Sequence, residues 1–167
     1  TTARDILCRL DPGALIPVLH RAVAIANRAG SLRRHALPFH MVAMDGKVTA
    51  TPSWAGEYAQ KHHPEDGVPY GLLRTVTSVL ASTPSRPCVD ISPIPAVTNE
   101  MGHFKAAFDA LYQRYRRLFE LVSYDQGANG EQNALHVLAH NKDYLFRLND
   151  DRRHMQQLAM ELLEHSK

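Results

Sequence analysis

The sequence predicts an α/β fold: a five-stranded mixed sheet in the order 3-2-1-4-5, flanked by helices and preceded by an N-terminal helical segment. Three observations lead there. Two apolar strand-like runs are each closed by an aspartate where the strand is expected to end, Phe39-His40-Met41-Val42-Ala43-Met44-Asp45-Gly46-Lys47 and Leu118-Phe119-Glu120-Leu121-Val122-Ser123-Tyr124-Asp125-Gln126-Gly127. Between them, Tyr70 to Ala81 and Pro87 to Ile94 alternate with the period of two that marks a strand. From Val97 to Arg117 the apolar residues change to a helical period.

Residues 11 to 30 open on Asp11-Pro12, a capping residue followed by a first-turn proline, and Gly30 supplies the stop. Leu15, Val18, Leu19, Ala22, Val23 and Ala26 form one apolar stripe on this helix, which therefore needs a surface to pack on. After the first aspartate strand, Pro52, Gly56, Pro64, Gly67 and Pro69 predict a loop over 51 to 69. The strand over 70 to 81 puts Leu72, Val76 and Leu80 on one face. The next strand alternates Val89 and Ile91 with Cys88, Asp90 and Ser92, and Pro93 and Pro95 end it. Phe104, Phe108, Leu111, Tyr112 and Tyr115 share the stripe of the following helix, an aromatic face expected in the core. The second aspartate strand follows, then a short helix from Gly130 to about His140, a strand from Asp143 to Leu148, and a last helix from Asp150 carrying Met155, Leu158 and Leu162.

The resulting order, β-β-β-α-β-α-β-α, limits the topology. Three strands in a meander, followed by right-handed crossovers, make the first and fourth strands neighbours. Asp45 and Asp125 then meet at the carboxyl edge of the sheet, where open α/β sheets bind ligands. Two carboxylates a few ångströms apart repel unless one takes a proton or a cation neutralises both. Hard oxygen ligands favour Mg²⁺ or Mn²⁺.

The composition of this 167-residue chain, 44% hydrophobic and 22% charged, is that of a globular protein with one core. We therefore expect a helical segment over 1–36 and one α/β domain over 37–167. No apolar run approaches the roughly 20 residues of a membrane helix, and the N-terminus lacks a basic-then-apolar signal, which points to the cytoplasm. Cys8 and Cys88 have no CxxC partner, so neither a disulfide framework nor a cysteine zinc site is indicated. Net charge is only +2, but basic residues clump at Arg33-Arg34-His35, at Arg114 with Arg116-Arg117, and at Arg152-Arg153-His154. Such clumps permit contact with a polyanion.

The order of elements resembles the ribonuclease-H-like fold. The segments Val42-Ala43-Met44-Asp45-Gly46-Lys47 and Val122-Ser123-Tyr124-Asp125-Gln126-Gly127-Ala128-Asn129-Gly130 resemble the first two acidic motifs of bacterial insertion-sequence DDE transposases. The resemblance extends over most of the chain and implies that Asp45 and Asp125 are catalytic, metal-binding acids, with Lys47 a neighbour of the site. It further implies a magnesium- or manganese-dependent enzyme that cuts and joins DNA during transposition, with transposon ends and target DNA as partners, assembled as a homodimer. The third acid of the family lies on a helix beyond the last strand. The chain opens at Thr1 without a methionine, and we expect it to be a piece of a longer protein that lacks this acid and is inactive as it stands. Glu161 and Glu164 on the last helix are the alternative candidates. A different reading of the same resemblance is a catalytically silent remnant that acts as a binding or structural module.

Other constellations lead less far. A haloacid-dehalogenase-like phosphatase needs a nucleophilic aspartate two residues before Asp45, where Ala43 stands. A glycine-loop methyltransferase would carry its loop after the first strand, whereas Asp125-Gln126-Gly127-Ala128-Asn129-Gly130 follows the fourth. His136 and His140 have the spacing of zinc ligands on a helix, but Val137 replaces the glutamate of His-Glu-x-x-His, so a partly exposed helix face is expected. His62-His63 near Asp66 read as solvated loop residues, Asp90 as an outward polar residue, and Trp54 as a loop anchor.

Overall fold

The computed structural model describes residues 12–35, 37–54, 56–125 and 128–147. The last helix predicted from Asp150, with Glu161 and Glu164, lies outside them, as do Leu148 and Cys8. Helix α1 spans Pro12–Arg28. It ends on a Schellman motif in which Gly30 at φ 72° lets its own N–H bond to Asn27 O and the Ser31 N–H bond to Ala26 O. Strands β1 (Met41–Thr51), β2 (Ala59–His62), β3 (Tyr70–Leu80) and β4 (Cys88–Ile94) follow. Helix α2 (Glu100–Tyr115), strand β5 (Leu121–Tyr124), helix α3 (Glu131–Ala139) and strand β6 (Asp143–Phe146) complete the described chain.

The sheet is mixed and has six strands, not five. Its continuous path is β2-β3-β1-β5-β6, with β4 also paired to β3. β1, β3 and β4 form the antiparallel meander, whereas β1 with β5 and β5 with β6 are parallel. The added strand is β2, inside the stretch expected to be a loop. It pairs with Tyr70 to Leu73 of β3, while β4 pairs with Arg74 to Val79, so two short strands divide one edge of a long one. Nothing apolar marks Ala59-Gln60-Lys61-His62 as a strand, and its ladder comes from the partner. The prolines and glycine at 64, 67 and 69 shape the turn behind it.

β1 is also longer than its sequence predicts. The Asp45-Gly46 pair reads as a turn, yet both residues continue the ladder opposite Thr77 and Val76, and pairing runs on to Thr51 opposite Gly71. Asp45 therefore marks the point where β5 leaves β1, not the point where β1 ends.

The core lies between one face of the sheet and the helices. Val42, Met44, Val76, Leu80, Val89, Ile94 and Val122 from the sheet meet Phe104, Phe108 and Leu111 of α2, all buried. The predicted aromatic stripe is this packing surface, with Tyr112 and Tyr115 at its margin. α1 turns a narrower stripe inward than expected: Leu19, Val23 and Ala26 pack on the core, while Leu15 and Val18 are exposed. The reason is a polar tie. His20 Nε2 lies 3.0 Å from Oδ1 of Asp90, a buried β4 residue, and Arg114 of α2 lies 3.9 Å from the same oxygen. Asp90 is thus an internal anchor for α1 and α2, not the outward polar residue its strand position predicts. Among the described residues no helix is long and apolar enough to cross a membrane.

Removing one partner of a buried hydrogen bond leaves the other polar group less satisfied. We expect His20→Ala to lower the unfolding free energy by about 1–3 kcal/mol in urea denaturation, and an unchanged midpoint would show that the tie carries no stability.

Candidate functional site

The site grows from the register of two strands. β1 and β5 run parallel with Met41 opposite Leu121 and Met44 opposite Tyr124, where pairing stops. Asp45 and Asp125 are the next residue on each strand. Their backbones are therefore held about 5 Å apart, the spacing of adjacent strands, and both side chains are exposed. The structure places the two predicted acids side by side at the carboxyl edge.

A third carboxylate joins them that the sequence reading missed. Glu100 is the first residue of α2, whose cap is Asn99: its Oδ1 accepts from the Gly102 N–H at 2.8 Å. That cap aims the start of the helix at the sheet edge. A Cβ on Gly46 would overlap Oε1 of Glu100, so the glycine beside Asp45 is what lets the carboxylate approach β1 so closely. Tyr124, one residue before Asp125, donates its hydroxyl to Glu100 Oε1 at 3.3 Å. Burial, with the neighbouring Glu100 carboxylate acting in the same direction, raises the Tyr124 pKa far above its ordinary value, so the phenol stays a donor.

Electrostatics register the crowding. Burial raises the Glu100 pKa, and the charges of Asp125 and Asp45 add to the rise, against the Tyr124 hydrogen bond and the charge of Arg74. Arg74 itself donates to Thr98 O at 2.6 Å, just ahead of the helix cap. The loop after Asp125 is braced by a buried asparagine: Asn133 of α3 donates to Ala128 O at 3.0 Å and to Met101 O at 3.4 Å. One side chain therefore ties the Asp125 loop to the residue following Glu100.

The three carboxylates are oxygen donors of the kind that suits Mg²⁺ or Mn²⁺, and the charges of Asp45 and Asp125 act on Glu100, but among the described residues their ligand atoms do not form a group within 4.8 Å of one another. Lys47 lies two residues beyond Asp45 on the same strand and is exposed.

The remaining singled-out residues take other roles. His62 packs its ring 5.0 Å from that of Tyr70, and Lys61 Nζ sits 4.8 Å above Trp54, which anchors the segment ahead of β2. Cys88 is a free thiol whose pKa burial raises. His136 and His140 are half-buried and do not form a plain solvated face, since both approach Asp109 of α2.

No protein-family model and no curated protein matches the chain. Among solved structures it is similar to the piggyBac transposase in its synaptic complex with hairpin DNA, at a TM-score of 0.44 and 11% identity, covering 68% of this chain and 25% of that one. It is also similar to a chain of the simian T-cell lymphotropic virus intasome in complex with a PP2A regulatory subunit, at a TM-score of 0.40 and 16% identity, covering 86% of this chain and 48% of that one. The chain thus spans about a quarter and about half of their lengths.

Glu100 gives a pH dependence whose sign can be stated. Its folded pKa is raised, so without divalent cation the folded chain keeps this proton longer than the unfolded chain does. The associated stability is present below the ordinary glutamate range, about pH 4, and is lost as pH rises through the raised value. Thermal melts in chelator across that range should show a fall that Glu100→Gln lacks, and superimposable profiles for the two proteins would refute this.

Proposed function

We propose that this chain is part of the catalytic core of a DNA transposase with a ribonuclease-H-like sheet, and that Asp45, Asp125 and Glu100 hold divalent metal at its carboxyl edge. The observation that carries the reading is the parallel register that brings Asp45 and Asp125 to one edge of the sheet, with Glu100 of α2 near enough for their charges to act on it. Glu100 is proposed as a third carboxylate within the described chain, beside the expectation that the third acid lies on a helix beyond the last strand.

The division of labour follows from the geometry. Asp45 and Asp125 are fixed by the backbone register and need no side-chain support to stay adjacent. Glu100 depends on α2, on the space left by Gly46 and on the Tyr124 hydroxyl that donates to it. Asn133 keeps the Asp125 loop and the start of α2 moving together, which holds the carboxylates at constant spacing. When bound, Mg²⁺ or Mn²⁺ supplies a Lewis acid and an activated oxygen nucleophile for attack on a phosphodiester. In this reading Lys47 and Arg74 are candidate contacts to the phosphate backbone of DNA, and the basic clumps at Arg33-Arg34 and Arg116-Arg117 are further candidates. Affinity for DNA drawn from such contacts falls steeply with salt. A homodimer and the transposon ends and target DNA belong to the same proposal for the whole protein.

Titration of the chain with Mn²⁺, followed by amide NMR, tests the site directly. Signals of Asp45, Glu100 and Asp125 should broaden first, and Asp45→Asn with Asp125→Asn should abolish the effect. Absence of broadening at all three positions sinks the metal-site reading. In the whole protein, Asp45→Asn or Asp125→Asn should reduce Mg²⁺-dependent nicking of supercoiled plasmid by at least about a thousandfold, a loss of roughly 4 kcal/mol in transition-state stabilisation. Wild-type nicking rates in either variant would overturn the catalytic assignment.

A further inference from the structure

A second cluster of metal-ligating groups stands on the helical layer. Asp109 of α2 and His136 and His140, at the end of α3, offer three ligand atoms that all lie within 4.8 Å of one another. Asp109 Oδ1 is 2.6 Å from His136 Nε2 and 3.7 Å from His140 Nε2. Asp109 is nine residues beyond Glu100 on the same helix, roughly 14 Å further along its axis. The cluster is therefore separate from the carboxylate edge, and its donors are of a different kind.

The hydrogen bonding of His140 says what the cluster lacks. Its Nδ1 lies 2.8 Å from the backbone carbonyl of His136, which can only accept, so Nδ1 carries the proton. In the neutral ring Nε2 is then a bare lone pair, and it points toward a carboxylate oxygen, another acceptor. Two acceptors facing each other at 3.7 Å need a cation between them, either a proton on the ring or a metal ion. A ring N–H held by a backbone carbonyl, with the other nitrogen turned to the ion, is the usual support of a metal-bound histidine.

The rings are also held in place. Phe108 meets both imidazoles edge-on, at 5.7 and 5.4 Å between centroids, and Tyr112 stands 4.6 Å from His140. These aromatic walls limit ring rotation. The outer side remains open, with side-chain exposures of 22%, 26% and 46% for His136, His140 and Asp109, which leaves room for a water as fourth ligand. His140 closes the C-terminus of α3, where the helix dipole favours a cation. In tetrahedral geometry with bonds of about 2.1 Å, ligand atoms sit roughly 3.4 Å apart. The Asp109–His136 pair, now 2.6 Å apart, gives up its hydrogen bond and opens by about 0.8 Å, and the Asp109–His140 pair closes from 3.7 Å by about 0.3 Å to reach it.

The geometry points to a transition-metal site here, formed by Asp109, His136 and His140 and suited to Zn²⁺, that clasps α2 to α3. Two imidazoles and one carboxylate are donors for Zn²⁺, not for Mg²⁺. The clasp joins the helix that carries Glu100 to the helix that carries Asn133. This inference is independent of the carboxylate site and of any DNA chemistry.

The test is calorimetric titration of the chelator-treated chain with Zn²⁺ alone, with Co²⁺ as an optical probe. We expect a single Zn²⁺ per chain, Co²⁺ absorption of tetrahedral type, and an affinity weakened more than about tenfold by His140→Gln or Asp109→Asn. Asp45→Asn should leave Zn²⁺ affinity unchanged. Should either variant fail to fold by circular dichroism, histidine ring NMR of the unmodified chain decides: Zn²⁺ must shift the His136 and His140 rings ahead of those of His62 and His63. Full-strength binding by a folded His140→Gln chain, ring shifts confined to His62 and His63, or no binding at all would overturn the assignment.

Discussion

Four rungs of parallel pairing, Met41 to Met44 against Leu121 to Tyr124, join the two halves of this sheet. On one side lies a meander built from local antiparallel contacts, and on the other a pair of strands that arrive only after a helical crossover. The rungs do more than connect. Their register determines which residue of each strand is the first to leave the ladder, and in both strands that residue is an aspartate. A slip of one residue would send one carboxylate to the opposite face and bury a polar group among Val42, Met44 and Val122. The alternation of buried and half-buried residues on both strands therefore protects the site as well as the core.

Around this pairing, burial and then the charges of Asp125 and Asp45 raise the cost of ionising Glu100. Glu100 registers that cost because it is the most enclosed of the three, pressed into the space beside Gly46. Tyr124 relieves part of it by donating one hydrogen bond. A bound cation would relieve the rest. Between α2 and α3 softer donors meet in the same way, where Nε2 of His140 turns toward the Asp109 carboxylate.

Much of this is legible in the residues because it is local. The alternation of Tyr70 to Leu80 and the helical period of Phe104, Phe108 and Leu111 predict both element and buried face, and β1 beside β5 follows from chain order and crossover handedness. What escapes the sequence depends on partners far along the chain. β2 carries no apolar pattern and is a strand only because β3 offers it a ladder. Asp45-Gly46 looks like a turn, and extended pairing to Thr77 and Val76 overrides that local preference. Glu100 stands 55 positions from Asp45 and reads as an ordinary first-turn acid. A signal was present: a glycine inside a strand marks a place where another group comes close. Asp109 likewise lies 27 positions before His136, so helical spacing supplies two ligands and only packing supplies the third.

The division of the β3 edge between β2 and β4 has a consequence for how this protein meets others. β3 is sealed inside the sheet, and three described borders are short: four residues in β2, seven in β4 with Pro93 among them, and four in β6; β1 is paired by β5 only at Met41 to Met44, so among the described strands Asp45 to Thr51 has β3 on one side alone. Short, proline-bearing borders are poor templates for strand addition by a second chain. A partner therefore gains few backbone rungs at β2, β4 or β6, and self-association into stacked β-assemblies is discouraged at those borders; the one longer open stretch among the described strands is the side of β1 beyond Asp45, next to the carboxylate edge.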